Sequence, residues 1–103
     1  MYGTLMRASV RPEDRPALVA AIEAGERVPV DGFLGSRLLT PDDRADEVWL
    51  AVFFTDRAAY ERNAAAAEQH VRYVAMRRWM TADPEWVDGE WTLFEPARPG
   101  DTV

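Results

Sequence analysis

No cysteine occurs among the 103 residues, which removes disulfides, thiolate nucleophiles and thiolate metal sites together. One histidine, His70, is present, too few for a dedicated transition-metal centre, so no metal is expected. Lysine is missing as well: the 12 basic residues are all arginine, which we take as coding bias. Set against 18 carboxylates they leave a net charge of -6. Binding a polyanion needs a basic face that releases counterions, so nucleic acid is not an expected partner. Long apolar runs are also lacking. The longest, Val48–Phe54, falls far below the ~20 residues that span a bilayer, and Met1 begins no charged-then-apolar leader. No membrane association is expected, and the location read from the sequence is cytoplasmic.

Nearly half of the chain is apolar (48%) and under a third charged (29%), the composition of a folded domain. The length suits one domain, which we place over 1–96, with a flexible C-terminal tail over 97–103 that lacks apolar periodicity.

Tyr2, Thr4, Met6, Ala8 and Val10 alternate with Gly3, Leu5, Arg7 and Ser9, predicting a first strand. Pro12-Glu13-Asp14 predicts a helix start, because proline suits a first turn and acidic side chains complement the positive end of the dipole. Leu18, Ala21, Ile22, Gly25 and Val28 then recur at three- and four-residue steps as one buried stripe, ended by Pro29 and Asp31-Gly32. A second strand over Phe33–Thr40 and a polar hairpin over 41–47 lead into the third strand, which pairs antiparallel with the second. Thr55 or Asp56 caps a helix over Arg57–Met80, kinked near Asn63. Asp83-Pro84 breaks it. Asp88-Gly89 reads as a tight turn, Trp86 and Trp91 as plugs over the helix end, and Trp91–Glu95 as the last strand. The order strand, helix, strand, strand, helix, strand is the α+β, ferredoxin-like βαββαβ arrangement: an antiparallel four-stranded sheet with its helices on one face.

The third strand is apolar on both of its faces. Val48, Leu50, Val52 and Phe54 point one way, and Trp49, Ala51 and Phe53 the other. Two helices cover one side only. Leaving the other wet forfeits roughly 1.5 to 3 kcal/mol per large side chain, against a total stability of about 5 to 15 kcal/mol. Twofold pairing through the open sheet face recovers that loss, so a homodimer is expected. The competing covers are a bound apolar ligand and the C-terminal tail.

Three segments carry a family resemblance: the short first strand with its proline-led helix start, Pro29-Val30-Asp31-Gly32-Phe33-Leu34-Gly35-Ser36 before the second strand, and Val52-Phe53-Phe54-Thr55-Asp56-Arg57-Ala58-Ala59-Tyr60 before the long helix. On these residues the chain resembles the dimeric α+β barrel superfamily, specifically its antibiotic-biosynthesis-monooxygenase-like (ABM) group, from Tyr2 to about Phe94. Val30-Asp31 stands inserted in the family's proline-glycine turn, and Phe53 or Phe54 replaces a tryptophan common after the third strand. The superfamily includes cofactor-independent oxygenases that turn aromatic polyketides into quinones, and haem-degrading enzymes. The haem branch matches worst: its first-strand asparagine is not evident in Tyr2–Ala8, its tryptophan falls near Asn63, and its histidine aligns closer to Arg72 than to His70. No haem or other cofactor is expected.

The resemblance implies a cofactor-independent monooxygenase-like protein binding a small aromatic or polyketide-like molecule between sheet and helices. The other reading is a non-catalytic ligand-binding or structural homodimer. Oxygenation without a cofactor needs an apolar pocket, a base or water relay, and donors for a developing oxyanion. The candidate catalytic residues are Asn63, as a donor, and His70, the one imidazole. Tyr60, Tyr73 and Trp79 are the candidate substrate-binding residues. Each also has a plainer structural reading: Tyr60 and Tyr73 as core residues with hydroxyls at the edge, Asn63 as a kink, His70 as solvated, Trp79 as packing for the helix end. Arg72, Arg77 and Arg78 form a local basic patch that could attract an anionic ligand, but a solvated face near the helix's negative end explains it as well and is the favoured reading. Convergence of Tyr60, Asn63 and His70 on an open cavity favours the enzyme, whereas a space filled by Met6, Met76 and Trp79 disfavours it.

Overall fold

A computed structural model describes residues 1–100. Alternation sorts the side chains of β1 (Tyr2–Ser9) by burial: Thr4, Met6 and Ala8 are buried while Arg7 is exposed. Beside it β3 (Glu47–Phe54) runs antiparallel, from Tyr2 opposite Phe54 to Ser9 opposite Glu47. The far edge of β3 pairs with β2 (Phe33–Leu39) and the far edge of β1 with β4 (Glu85–Glu90), giving an antiparallel sheet in the order β2-β3-β1-β4. This is the expected α+β, ferredoxin-like fold.

Pro12–Asp14 forms a single 3-10 turn before α1 (Arg15–Glu26), which buries Leu18 and Ile22. Val28, expected on the same stripe, lies past the helix end and is exposed. At Gly32 the chain turns with φ +77°, and a Cβ there would stand 2.6 Å from the Ala59 Cβ, so only glycine fits. The Gly32 carbonyl accepts the Thr55 N–H at 2.8 Å, which pins the start of β2 to the end of β3.

The helix expected over 57–80 is two helices. Asp56 caps α2 (Arg57–Ala65), its Oδ1 accepting the Ala59 N–H at 2.8 Å. The chain is extended at Ala66 (φ -74°, ψ 139°), three residues beyond the expected kink, and resumes as α3 (Ala67–Arg77). Alanine supplies helix propensity but no apolar stripe, and Ala59 is the one buried residue of α2. Nothing in that run resists a break that swings Met76 of α3 into the core.

The last strand also differs from expectation. It occupies Glu85–Glu90 rather than Trp91–Glu95, and Asp88 and Gly89 lie inside it opposite Thr4 and Gly3. Gly89 has no positive φ, so the tight turn is absent. The unpaired edge of β1 demands partners for its backbone groups, and that demand outweighs local turn propensity. Trp86 packs on the helix side and Trp91 against Phe53 on the opposite side, ring centroids 5.0 Å apart, so the two do not form one plug. After Trp91, whose N–H donates to the Met1 carbonyl at 2.8 Å, no regular element follows through Gly100. The tail expected over 97–103 falls in part on 101–103, outside the described residues.

The core sits between the sheet and the helices, built from Met6, Ala8 and Val48 beneath and Leu18, Ile22 and Met76 above. The other sheet face carries Leu39, Trp49, Ala51, Phe53 and Val87, with Leu39 59% and Val87 68% exposed. Among the described residues no helix is long and apolar enough to cross a membrane.

Candidate functional site

Between the helices and the helix-covered face of the sheet lies a cavity of about 510 Å³. Its floor is the inward-facing row Thr4, Leu50, Val52 and Phe54, and α1 contributes Ile22 and Glu26 to one wall. The break at Ala66 places residues from both α2 and α3 over this floor. Of the predicted site residues, Tyr60, Asn63, His70 and Tyr73 line the cavity. Trp79 does not: it packs beside the core cluster, with the Arg78 guanidinium 4.9 Å over its ring. Met76 reaches the cavity wall but Met6 does not, and the space is open.

Asn63 spans the break. Its Nδ2 donates to Gln69 Oε1 at 3.3 Å, while its Oδ1 accepts from Arg72 Nη2 at 3.2 Å. Arginine only donates, so the amide oxygen must face Arg72. Arg72 Nε also donates to Gln69 Oε1, at 3.1 Å. Asn63, Gln69 and Arg72 therefore form a closed polar triangle that retains one unassigned amide N–H on Asn63. His70 is exposed and stands where the cavity meets solvent.

At the other end Tyr60 donates its hydroxyl to Asp88 Oδ1 at 2.8 Å, joining α2 to β4. Burial first, and then the neighbouring Asp88 carboxylate, push the Tyr60 hydroxyl up to about 12. It stays protonated and acts as a donor. The Tyr73 and Trp86 rings, centroids 6.4 Å apart, make an aromatic wall.

Glu26 is the third polar group. Burial raises its carboxyl above the ordinary range, partly offset by a hydrogen bond from Ser36 and by the charge of Arg72. Among the described residues no cluster of His, Asp and Glu is large enough to hold a metal ion.

The sequence reading missed Glu26, Gln69 and Asp88, and set Arg72 aside as part of a solvated face. For Arg72 a signal existed: at 100° per residue, Arg77 and Arg78 lie about 140° and 120° away on either side of it, so the three cannot share a face. The structure agrees. Arg77 donates to Asp83 at 2.9 Å, Arg78 covers Trp79, and Arg72 lines the cavity. For Glu26 the signal was a carboxylate in the last turn of a helix, where the dipole opposes it.

Several solved structures share this architecture. A protein of Nitrosomonas europaea provisionally named an antibiotic biosynthesis monooxygenase superposes with a TM-score of 0.76 at 18% identity, covering 90% of this chain and 100% of its own. SnoaB of Streptomyces nogalater, a cofactor-independent oxygenase, gives 0.65 at 23%, covering 91% and 97%. A Mycobacterium tuberculosis protein gives 0.72 at 20%, covering 93% and 98%. Comparison with curated proteins finds no match. At these identities the likeness shows the fold, while the family assignment comes from sequence: the profile described as antibiotic biosynthesis monooxygenase matches residues 1–82. The chain therefore belongs to the antibiotic biosynthesis monooxygenase family.

Proposed function

We propose that this protein is a cofactor-independent monooxygenase that binds a small aromatic or polyketide-like molecule in the cavity, as a homodimer joined through the open sheet face. The observation that carries the reading is the convergence of Tyr60, Asn63, His70 and Arg72 on one cavity with an apolar floor. Its volume suits a small multi-ring ligand. The likeness to SnoaB and the family membership support it.

The chemistry closes without a cofactor. An aryl methylene and one molecule of dioxygen give a carbonyl and one molecule of water. One oxygen atom enters the carbonyl, the other leaves in the water with both methylene hydrogens, and the substrate supplies all the electrons that reduce the oxygen. What the protein must supply is loss of a proton, which makes the ring electron-rich, and stabilisation of the anion that results. In this reading the unassigned Asn63 N–H and the Arg72 guanidinium face the oxyanion. His70 passes protons between cavity and solvent. The Tyr73 and Trp86 rings flank the aromatic ligand, and Tyr60 fixes the wall by holding Asp88. Proteins of the family are typically dimeric, which supports the pairing already argued from the apolar face.

Oxygen uptake against a panel of hydroquinones and anthrones, with no added flavin or metal, tests this. Uptake above the protein-free rate, equimolar with quinone formed, is the expected result. Ligand binding by tryptophan quenching with no uptake across the panel would instead leave a non-catalytic binder.

A further inference from the structure

Glu26 at the end of α1 and Arg72 on α3 line the same cavity, carry opposite charges, and are not joined by an ion pair within 4.0 Å. We propose that Glu26 is the base that removes the substrate's proton, with Arg72 the cation that holds the oxygen left negative. The inference rests on the oxygenase reading above.

Placement argues first. Glu26 closes the last turn of α1, where the dipole disfavours a carboxylate and where no basic residue compensates. Its α1 neighbour Glu23 has a partner, since Arg27 donates to it, but Glu26 faces inward instead. The helices are close at this point: a Cβ built on Gly25 would stand 3.5 Å from Arg72 Cδ. Apart from the hydrogen bond from Ser36, this half-buried, unfavourably placed carboxylate makes no ion pair with the cation opposite it.

Chemistry argues second. Two N–H groups of Arg72 are held by Gln69 and Asn63, which fixes the guanidinium plane and leaves its other donors directed elsewhere. A carboxyl raised above its ordinary range by burial is a stronger base than a solvated one, and so closer in pKa to a weak carbon or phenolic acid. The groups that face it are Ser36 from β2 and Arg72 from α3. The other titratable groups of the cavity are His70 and Tyr73 on α3, Tyr60 on α2 and Asp88 on β4. In the step itself the substrate C–H or O–H bond breaks and its electron pair stays on the substrate as an enolate or phenolate beside Arg72. The proton moves to a Glu26 carboxylate oxygen, and no oxidant is consumed.

Because this step precedes oxygen, it can be measured without it. Deuterium exchange into the methylene of anthrone under argon, alongside oxygen uptake in air, is compared for wild type, Glu26→Gln and the exposed control Glu23→Gln. Exchange and uptake in wild type and control, both lowered about 100-fold or more in Glu26→Gln, are expected. Glu26→Asp keeps a carboxylate with shorter reach and should retain part of the exchange, which guards against a glutamine variant that fails to fold. Arg72→Met should lower the exchange rate at saturation more than it raises KM, because the negative charge that Arg72 holds develops only as the proton leaves. Wild-type exchange that Glu26→Gln lowers, without oxygen uptake, would reject the oxygenase reading and keep Glu26 as a base. Uptake and exchange unchanged in Glu26→Gln would reject the base and keep the oxygenase. Neither activity in wild type would reject both.

Discussion

Arg72 reaches back across the extended residue Ala66 and donates from Nη2 to Asn63 Oδ1 at 3.2 Å, so one contact both ties α3 to α2 and aims a cation at the cavity. Asn63→Ala leaves Arg72 with Gln69 alone. A partly solvated bond to a charged group is worth about 1 kcal/mol, and the melting temperature should fall by roughly 4–8 °C. Oxygen uptake should fall more steeply than stability, about tenfold or beyond, because the guanidinium loses its orientation. Equal rates for variant and wild type would remove Asn63 from the site.

Tyr60 and Asp88 give a prediction at high pH. An unfolded tyrosine ionises near pH 10, whereas Tyr60 in the fold is pushed up to about 12 by burial and by Asp88. Between those values the unfolded chain has released a proton that the native chain keeps, so stability falls as pH rises through the window. Absorbance titration should show a late tyrosinate step near pH 12 that disappears in Tyr60→Phe. If the tyrosinate step lost in Tyr60→Phe lies near pH 10, the Tyr60–Asp88 bond is contradicted.

At the opposite end of the sheet, Glu47 is buried and accepts from Arg7 Nη2 at 2.5 Å, with Trp49 and Arg44 as further donors. The Arg7 bond, foremost, holds its carboxyl below the usual range. Its stabilising effect is therefore complete above the unfolded carboxylate value and is lost as pH falls through the lower native one. Arg7→Met should move the acid-unfolding midpoint to higher pH. An unshifted midpoint would mean that another carboxylate governs acid unfolding.

The sheet was legible because burial follows strand parity. Thr4, Met6 and Ala8 on β1 and Val48, Leu50 and Phe54 on β3 sit on the predicted side, and the register of the central pair follows from it. Helix α1 was legible through Leu18 and Ile22. The full break at Ala66, three residues past the expected kink, and the position of β4 were hidden for a shared reason. An alanine run and an Asp-Gly pair have strong local preferences, but neither contributes the apolar contacts that decide where a segment docks. The site was half legible. Tyr60, Asn63, His70 and Tyr73 were chosen as polar-capable residues of one helical region, which the cavity brings together. Glu26 comes from a different element, and only the packing of α1 against α3 reveals that it faces Arg72.

The open face of the sheet supplies the last prediction. Trp49, Ala51 and Phe53 are only partly covered there, Leu39 and Val87 flank them, and the Arg7–Glu47 pair marks one end. Under a twofold axis each protomer presents the same row to its partner, so Phe53→Asp introduces a carboxylate on both sides of the interface. Light scattering after size exclusion should give about twice 11.7 kDa for wild type at micromolar concentration and 11.7 kDa for the variant. A monomeric wild type would reject pairing through this face. The fold should survive the substitution, because Phe53 points away from the core cluster and its ring contact is with Trp91, outside the regular elements. The cavity opens on the other side of the sheet, and no residue of the Trp49, Ala51, Phe53 row lines it. Oxygen uptake by the monomeric variant should therefore persist within about threefold of wild type, a difference of under 1 kcal/mol in barrier. A larger loss, with the variant still folded, would mean that the partner subunit shapes the site across the sheet.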